Sequence, residues 1–265
     1  MKLSQRVAFS DFPGMSRVYT EDERLLHAEL LRVSNKYEQE RLSNKQVQKI
    51  SEVYTSDKHA EEDNNSFAQN ATDFVNRNDE NSQLNQYWYS IDTSSFLCNL
   101  IIEGLSTLSA VDQTDTNRLA FLSTPSLFFT MSNNDESKNN HVLFEFDEQW
   151  NSHKRFVFYD FNRPIDVIEQ HPRYESAFDM VIIDPPFVTV EVWEKYAKTA
   201  KALLKPGGLI LATTIFENAK LLETLLDLKP IPSYKPKIPN LIYQYTVFTN
   251  FGSRTKFGKE DGENR

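Results

Sequence analysis

The chain has 265 residues, 39% of them hydrophobic and 12% aromatic, a net charge of −9 at neutral pH and one cysteine. That length and composition fit a folded globular chain of one or two domains. The longest apolar runs are far too short to span a bilayer, and residues 1–20 lack a secretory apolar region. A lone Cys98 forms no internal disulfide and no cysteine metal cluster, so a cytoplasmic protein without metal or membrane attachment is expected. The acidity is spread along the chain, without the basic surplus that tracks phosphates, which disfavours nucleic acid as a partner.

Leu26, Leu30, Val33 and Tyr37, then Val47, Ile50 and Tyr54, recur at helical spacing, so residues 21–54 read as helix. This arm suits a binding partner as well as it suits a helical hairpin packed on its own domain. From Ser56 to Asn81 the composition turns polar, with Glu61, Glu62, Asp63, Asn64 and Asn65 in a row, which predicts a solvated linker. Residues 1–80 are thus expected to form an extension and linker, 81–251 the main domain, and 252–265 a loose charged tail.

Three consecutive aromatics, Tyr87, Trp88 and Tyr89, cannot all face one core, so at least one is expected to line a pocket or an interface. Ser90 or Asp92 can cap the following helix, whose Phe96, Leu97, Leu100, Ile101 and Leu105 form an apolar stripe. Strands are predicted at Leu119–Leu122, Val142–Phe146, Phe156–Tyr159, Asp179–Ile183 and Leu209–Ala212, and a last one at Leu241–Phe248. Between them, Val192, Trp193, Tyr196, Ala197, Ala200, Leu203 and Leu204 mark an amphipathic helix. Thr189 is its expected cap, and Pro206, Gly207 and Gly208 its stop. Another helix is read over Glu217–Leu228, then a connector rich in proline. Alternating strands and helices mean a doubly wound α/β fold.

Within that order one loop stands out. The run Val181-Ile182-Ile183 has the character of an interior parallel strand, and it stops at Asp184-Pro185-Pro186-Phe187. A proline lacks a backbone N–H and has its φ fixed, so the loop is rigid and lies where open α/β sheets bind ligands. The Asp184 carboxylate and the Pro185 carbonyl can accept hydrogen bonds from one amine, and Phe187 offers a face to a flat or cationic group.

Three successive strands end in acids: Glu145 or Asp147, Asp160, and Asp184. An acid after the second strand suits a ribose diol; one after the third suits an adenine amino group, with Phe161 against the ring. The first strand leads not into a glycine-rich turn but into Ser123-Thr124-Pro125-Ser126, which argues against a dinucleotide's pyrophosphate. S-adenosyl-L-methionine, with adenine, ribose and a sulfonium but no phosphate, fits these ends. Trp88, Tyr89 and Phe187 are candidate aromatic faces for the sulfonium, and Ser123 sits in the turn beside the cofactor.

The segments NSQLNQYWYS (Asn81–Ser90), FLSTPSL (Phe121–Leu127), LFEFD (Leu143–Asp147), FYDFNRP (Phe158–Pro164) and DMVIIDPPF (Asp179–Phe187) together resemble those of the elongation factor 1-alpha lysine methyltransferases. These are class I S-adenosylmethionine enzymes, once suspected of adenine methylation because of the D-P-P-[FY] motif. The resemblance covers about residues 80–250. It implies a mostly parallel, seven-stranded Rossmann-like methyltransferase sheet and a lysine of translation elongation factor 1-alpha as substrate. By the same likeness Asp184, Pro185, Pro186 and Phe187 hold the target amine, Asp160 the adenine, and Glu145 or Asp147 the ribose. The expected reaction is in-line attack of a lysine amine on the sulfonium methyl, with Asp184 orienting the amine and water removing its proton. Two rivals remain: methylation of an adenine amino group in nucleic acid, and a non-catalytic adaptor with the same fold.

Overall fold

The computed structural model describes residues 58–108, 118–132 and 140–251. The helical reading of residues 21–54, most of the Asn-rich stretch 132–140 and the tail from 252 lie outside the described residues. No helix among the described residues is long and apolar enough to cross a membrane.

Two helices precede the sheet, α1 (Lys58–Arg77) and α2 (Ile91–Ser106). The sheet elements follow as β1 (Leu119–Leu122), α3 (Pro125–Met131), β2 (Val142–Glu145), β3 (Phe156–Phe158), α4 (Asp166–Gln170) and β4 (Phe178–Ile183). Next come α5 (Val190–Leu203), β5 (Leu204–Ile215), α6 (Ala219–Leu226), β6 (Lys229–Ile231) and β7 (Tyr245–Thr249). The seven strands lie in the order β3-β2-β1-β4-β5-β7-β6. Strands β1 to β5 pair in parallel, and β7 is antiparallel to both β5 and β6. Consecutive strands step outward from β1 to β3, then the chain crosses back to β4, so the order reverses between β1 and β4. Open α/β sheets form their ligand crevice outside the carboxyl ends of the strands at such a reversal. Leu122 and Asp184 stand there side by side, with the Asp184 N–H donating to the Leu122 carbonyl at 3.2 Å.

The interior strands are near-continuous apolar runs because helices cover both faces. Every residue of β1 and β2 is buried, as are Met180 to Ile183 of β4. Thr189 caps α5 by accepting the Val192 N–H, as its position in the sequence predicted, and Ser90 caps α2 through the Thr93 N–H.

Three expectations are corrected. The stretch read as a solvated linker forms α1, and its second half is anchored: Phe67, Ala71 and Phe74, spaced at four and three residues, are buried. Phe74 meets the rings of Trp88, Phe129 and Trp150 at 5.0, 5.6 and 5.8 Å, and the Asn70 amide donates to the Thr130 carbonyl. A polar average hid this stripe because only one helical face needs to be apolar. Next, α5 ends at Leu203, before Pro206-Gly207-Gly208. These residues lie instead within β5, where the register against β4 shifts and Gly207 takes φ +76°. Finally, part of the proline-rich connector is β6, with Pro230 inside it; as the outermost strand it tolerates a residue that cannot donate. The rest of the connector is pinned on α2, where the Phe96 and Tyr234 rings stack at 3.5 Å.

If α1 is part of the folded unit, Phe74→Ala should cost about 3–5 kcal/mol, the usual range for emptying an aromatic core site. Urea denaturation followed by tryptophan fluorescence measures it; a change under about 1 kcal/mol, the level of ordinary surface substitutions, would show that α1 is only loosely attached.

Candidate active site

Strand β4 delivers Asp184 to the centre of the carboxyl edge, and the loop after it is held from two sides. The Asn85 amide donates to the Pro186 carbonyl. The Asn218 amide donates to the Val188 carbonyl at 2.8 Å. Asn85 reaches across because it lies in a tight turn closed by the Asn81–Gln86 bridge, where it takes φ +54°, a conformation that asparagine tolerates better than most residues. With the Pro186 and Val188 carbonyls occupied, the Pro185 carbonyl between Asp184 and Pro186 has no donor among the described residues. It remains available to a ligand.

Asp184 is half-buried, and its carboxylate is set among oxygens. Tyr89 donates its hydroxyl to Oδ2 at 2.5 Å, and that hydroxyl lies 2.6 Å from Thr213 Oγ1 on β5. Burial pushes the Asp184 carboxyl up to about 7, even though the bonds from Tyr89 and Thr213 pull it down. Burial likewise lifts the Tyr89 phenol well above its usual range, with the adjacent Asp184 charge adding to the rise.

Glu145 ends β2 and turns inward, 5% exposed. Its Oε1 accepts the N–H groups of Phe146 and Asp147 at 2.9 and 3.1 Å. Burial raises its carboxyl to about 7, against the pull of those two N–H groups, and the charges of Asp147 and Asp184 push the same way as burial. Glu145 and Asp184 therefore share one crevice closely enough to feel each other.

After β1 the missing glycine is replaced by Ser123, which takes φ +54°. The left-handed turn that usually calls for glycine is made by a serine, whose hydroxyl lies 2.6 Å from that of Tyr196. The Tyr196 ring stacks on Phe161 at 5.8 Å, and Phe161 meets Phe187 at 6.3 Å with the Lys195 ammonium 5.6 Å above its ring.

The structure thus gathers Tyr89, Ser123, Glu145, Phe161, Asp184 and Phe187 around the carboxyl ends of β1, β2 and β4. Asp147 and Asp160 lie farther out, each holding its own turn: Asp147 accepts the Gln149 N–H, and Asp160 accepts the Asn162 N–H at 2.9 Å. Asp160 also borders a small cleft with Phe158, Arg163 and Asp166. Trp88 stands apart. Neighbouring side chains in extended backbone point opposite ways, so while Tyr89 reaches Asp184, Trp88 packs on Phe74 and donates its indole N–H to the Asn78 carbonyl. It supports α1, and its expected place beside a sulfonium is corrected. Asn85, Tyr196, Thr213 and Asn218 were missed by sequence reasoning. Tyr196 read as one more core position of α5. The signal for Thr213 was a pair of threonines directly after the apolar run Leu209–Ala212.

Residues 80–253 match the family model described as "Probable N6-adenine methyltransferase". The chain belongs to this family. Among its relatives is a protein-lysine N-methyltransferase of Dictyostelium discoideum, 31% identical over 66% of this chain and 79% of the relative. EEF1A lysine methyltransferase 1 of Danio rerio is 30% identical over 64% of this chain and 98% of its own length. The Homo sapiens protein of the same name is 28% identical over 66% and 77%. The family description names an adenine and these relatives name a lysine; in both cases the acceptor of the methyl group is an amine.

A methyltransferase that desolvates two carboxylates without a cation partner among the described residues is less stable for it at neutral pH. Asp184 is raised from an ordinary value of 3.8 to about 7, so between those limits the folded chain holds a proton that the unfolded chain has lost. Stability therefore falls as pH rises from about 4 to about 7. Asp184→Asn, which cannot ionise, should be more stable than the wild type by on the order of 2 kcal/mol at about pH 8 and equal to it near pH 4. Thermal unfolding across that range measures the difference; a variant less stable at pH 8 would show that the carboxylate is not an electrostatic burden.

Proposed function

We propose that the chain transfers a methyl group from S-adenosyl-L-methionine to a lysine side chain of translation elongation factor 1-alpha in the cytoplasm. The observation that carries this reading is the paired acceptor at the end of β4: Asp184 and the Pro185 carbonyl, on a loop held by two prolines and two asparagine amides. Protein-lysine methyltransferases among the relatives, and elongation factor 1-alpha in the names of several, supply the substrate class.

The residues suit the cofactor. On this reading Glu145, buried at the end of β2, takes the ribose diol in preference to Asp147; supporting it, the Asp147 carboxylate already caps its own turn. Asp160 and Phe161 offer an acceptor and a ring to adenine. The Thr124 hydroxyl in the turn after β1 and both amide atoms of Gln86 are buried without a hydrogen-bond partner in the structure, and such groups favour a polar ligand. S-adenosylmethionine supplies a methyl carbon made electrophilic by the positive sulfur. Around it the chain provides position: Asp184 and the Pro185 carbonyl fix the N–H bonds of the amine so that its lone pair faces the methyl carbon, and the Phe161–Phe187 face shields them from water.

A protein acceptor also fits the surface at this edge. Val190 after the motif loop, Phe216 after β5 and Ile242 three residues before β7 are exposed apolar side chains, and the neighbours of the first two are Glu191 and Glu217. Apolar and acidic groups suit a protein surface better than a phosphate backbone.

Incubation with radiolabelled S-adenosylmethionine and cell extract should label a protein of elongation-factor size. Label confined to nuclease-sensitive material would turn the assignment to adenine. With the labelled substrate in hand, Asp184→Asn should lose on the order of 100-fold in kcat with cofactor affinity little changed, as expected for a lost positioning contact. Asp160→Ala should weaken cofactor binding by roughly 1–3 kcal/mol. Calorimetry that finds unchanged affinity in this variant would remove Asp160 from the adenine site.

A further inference from the structure

We propose that the Tyr89 hydroxyl, braced by Thr213, is a positioning residue that fits Asp184 to take the proton from the incoming lysine ammonium. The inference rests on the methyl-transfer reading above and gives Tyr89 a role other than contact with the sulfonium. It starts from three oxygens in a row. Asp184 Oδ2, the Tyr89 hydroxyl and Thr213 Oγ1 are separated by 2.5 and 2.6 Å, with the hydroxyl in the middle.

A phenol in that position can serve both protonation states of its neighbour. When Asp184 is ionised, Tyr89 donates to Oδ2. When Asp184 takes a proton on Oδ1, Oδ2 becomes the carbonyl oxygen of the acid and still accepts the Tyr89 O–H. Neither state leaves the phenol O–H unpaired, so the protonated form is not penalised by the loss of that hydrogen bond. Tyr89 holds Oδ2, and on this proposal Oδ1 faces the amine beside the Pro185 carbonyl.

The groups around Asp184 keep it a usable base. Those that act on it or respond to it are Tyr89 before α2, Glu145 on β2, Tyr196 on α5, Thr213 on β5 and Tyr245 on β7. All are acids, phenols or a hydroxyl, and none is a cation. A lysine or arginine in the place of Tyr89 would hold Asp184 ionised and would repel an arriving ammonium. The phenol, itself lifted far from ionisation, supplies a hydrogen bond without a charge.

The step balances. One N–H bond of the lysine ammonium breaks as an O–H bond forms on Asp184, leaving a neutral amine. The amine lone pair then forms the N–C bond to the methyl carbon as the C–S bond breaks, and its electron pair stays on sulfur as a thioether. The proton on Asp184 passes to solvent after the products leave.

Tyr89→Phe, Thr213→Val and Thr213→Ser test this. Because the Tyr89 bond pulls the Asp184 carboxyl down, losing it should move the acid limb of the kcat profile to higher pH. For Tyr89→Phe, kcat at pH 7 should fall by about tenfold and recover most of that loss near pH 9, with cofactor Kd within about twofold of wild type. Thr213→Val should move the limb the same way by less, and Thr213→Ser should restore it. Without substrate or cofactor, carbon-13 NMR of the aspartate carboxyls should show Asp184 titrating higher in Tyr89→Phe than in the wild type. An unmoved acid limb, a loss of kcat equal at every pH, or a loss of cofactor affinity in step with kcat would overturn the proposal. If the wild type methylates no lysine, the underlying reading fails, while an unshifted NMR titration fails the Tyr89 claim alone.

Discussion

The structure turns on a desolvated carboxylate that has no cation partner among the described residues. Asp184 follows the central strand at the carboxyl edge, half-buried, and desolvation there suppresses its ordinary ionisation. Stability alone would favour an apolar residue there, or a lysine or arginine to pair with it. Among the described residues neither is supplied, and the group is surrounded by hydroxyls and a second suppressed carboxylate, Glu145. On the proposed reading, two cations enter this crevice, the sulfonium and the lysine ammonium. The lysine ammonium then brings to Asp184 the positive charge that its surroundings lack.

Holding an acid in that state demands a rigid frame, and the frame reaches well beyond the sheet. Asn85 and Tyr89, both from the segment before α2, clamp the motif loop and its acid. That segment is steadied in turn through Trp88 by Phe74 of α1, and through the Ser90 N–H by the Lys237 carbonyl of the connector. Residues before the first strand are therefore part of the site's construction. A turn that the family of α/β folds commonly gives to glycine is here made by Ser123, whose hydroxyl adds a bond to Tyr196 that glycine could not make.

Much of this was legible in the chain. The run Val181-Ile182-Ile183 has the character of an interior strand, and an acid with two prolines directly after it points to a ligand loop. The shortfalls have separate physical causes. Average polarity concealed α1, because Phe67, Ala71 and Phe74 make a narrow stripe on an otherwise solvated helix. The proline in β6 reads as a breaker until the strand is known to lie at the sheet's edge. Hydrogen bonds between distant residues, such as Tyr89 to Asp184 and Asn218 to Val188, leave no local pattern at all, since nothing in either segment alone specifies its partner. Trp88 and Tyr89 are both aromatic, and only the alternation of extended backbone decides which one faces the acid.

The same alternation bears on the choice between a lysine and an adenine as acceptor. Asp184 and the Pro185 carbonyl can hold the N–H bonds of either amine, so the acceptor pair by itself does not discriminate. Protonation does. The exocyclic amine of adenine arrives neutral and needs no base before it attacks, whereas lysine arrives as an ammonium with no lone pair. A carboxylate with an ordinary ionisation would keep the ammonium charged by attraction and accept its proton poorly. Burial that lifts Asp184 to about 7, with a hydroxyl ready for either protonation state, narrows that gap from the side of the base. Desolvation of the lysine in the same crevice narrows it from the other. A neutral amine needs its N–H bonds held before attack, whereas a lysine must also give up a proton, and a carboxylate lifted in this way serves both needs.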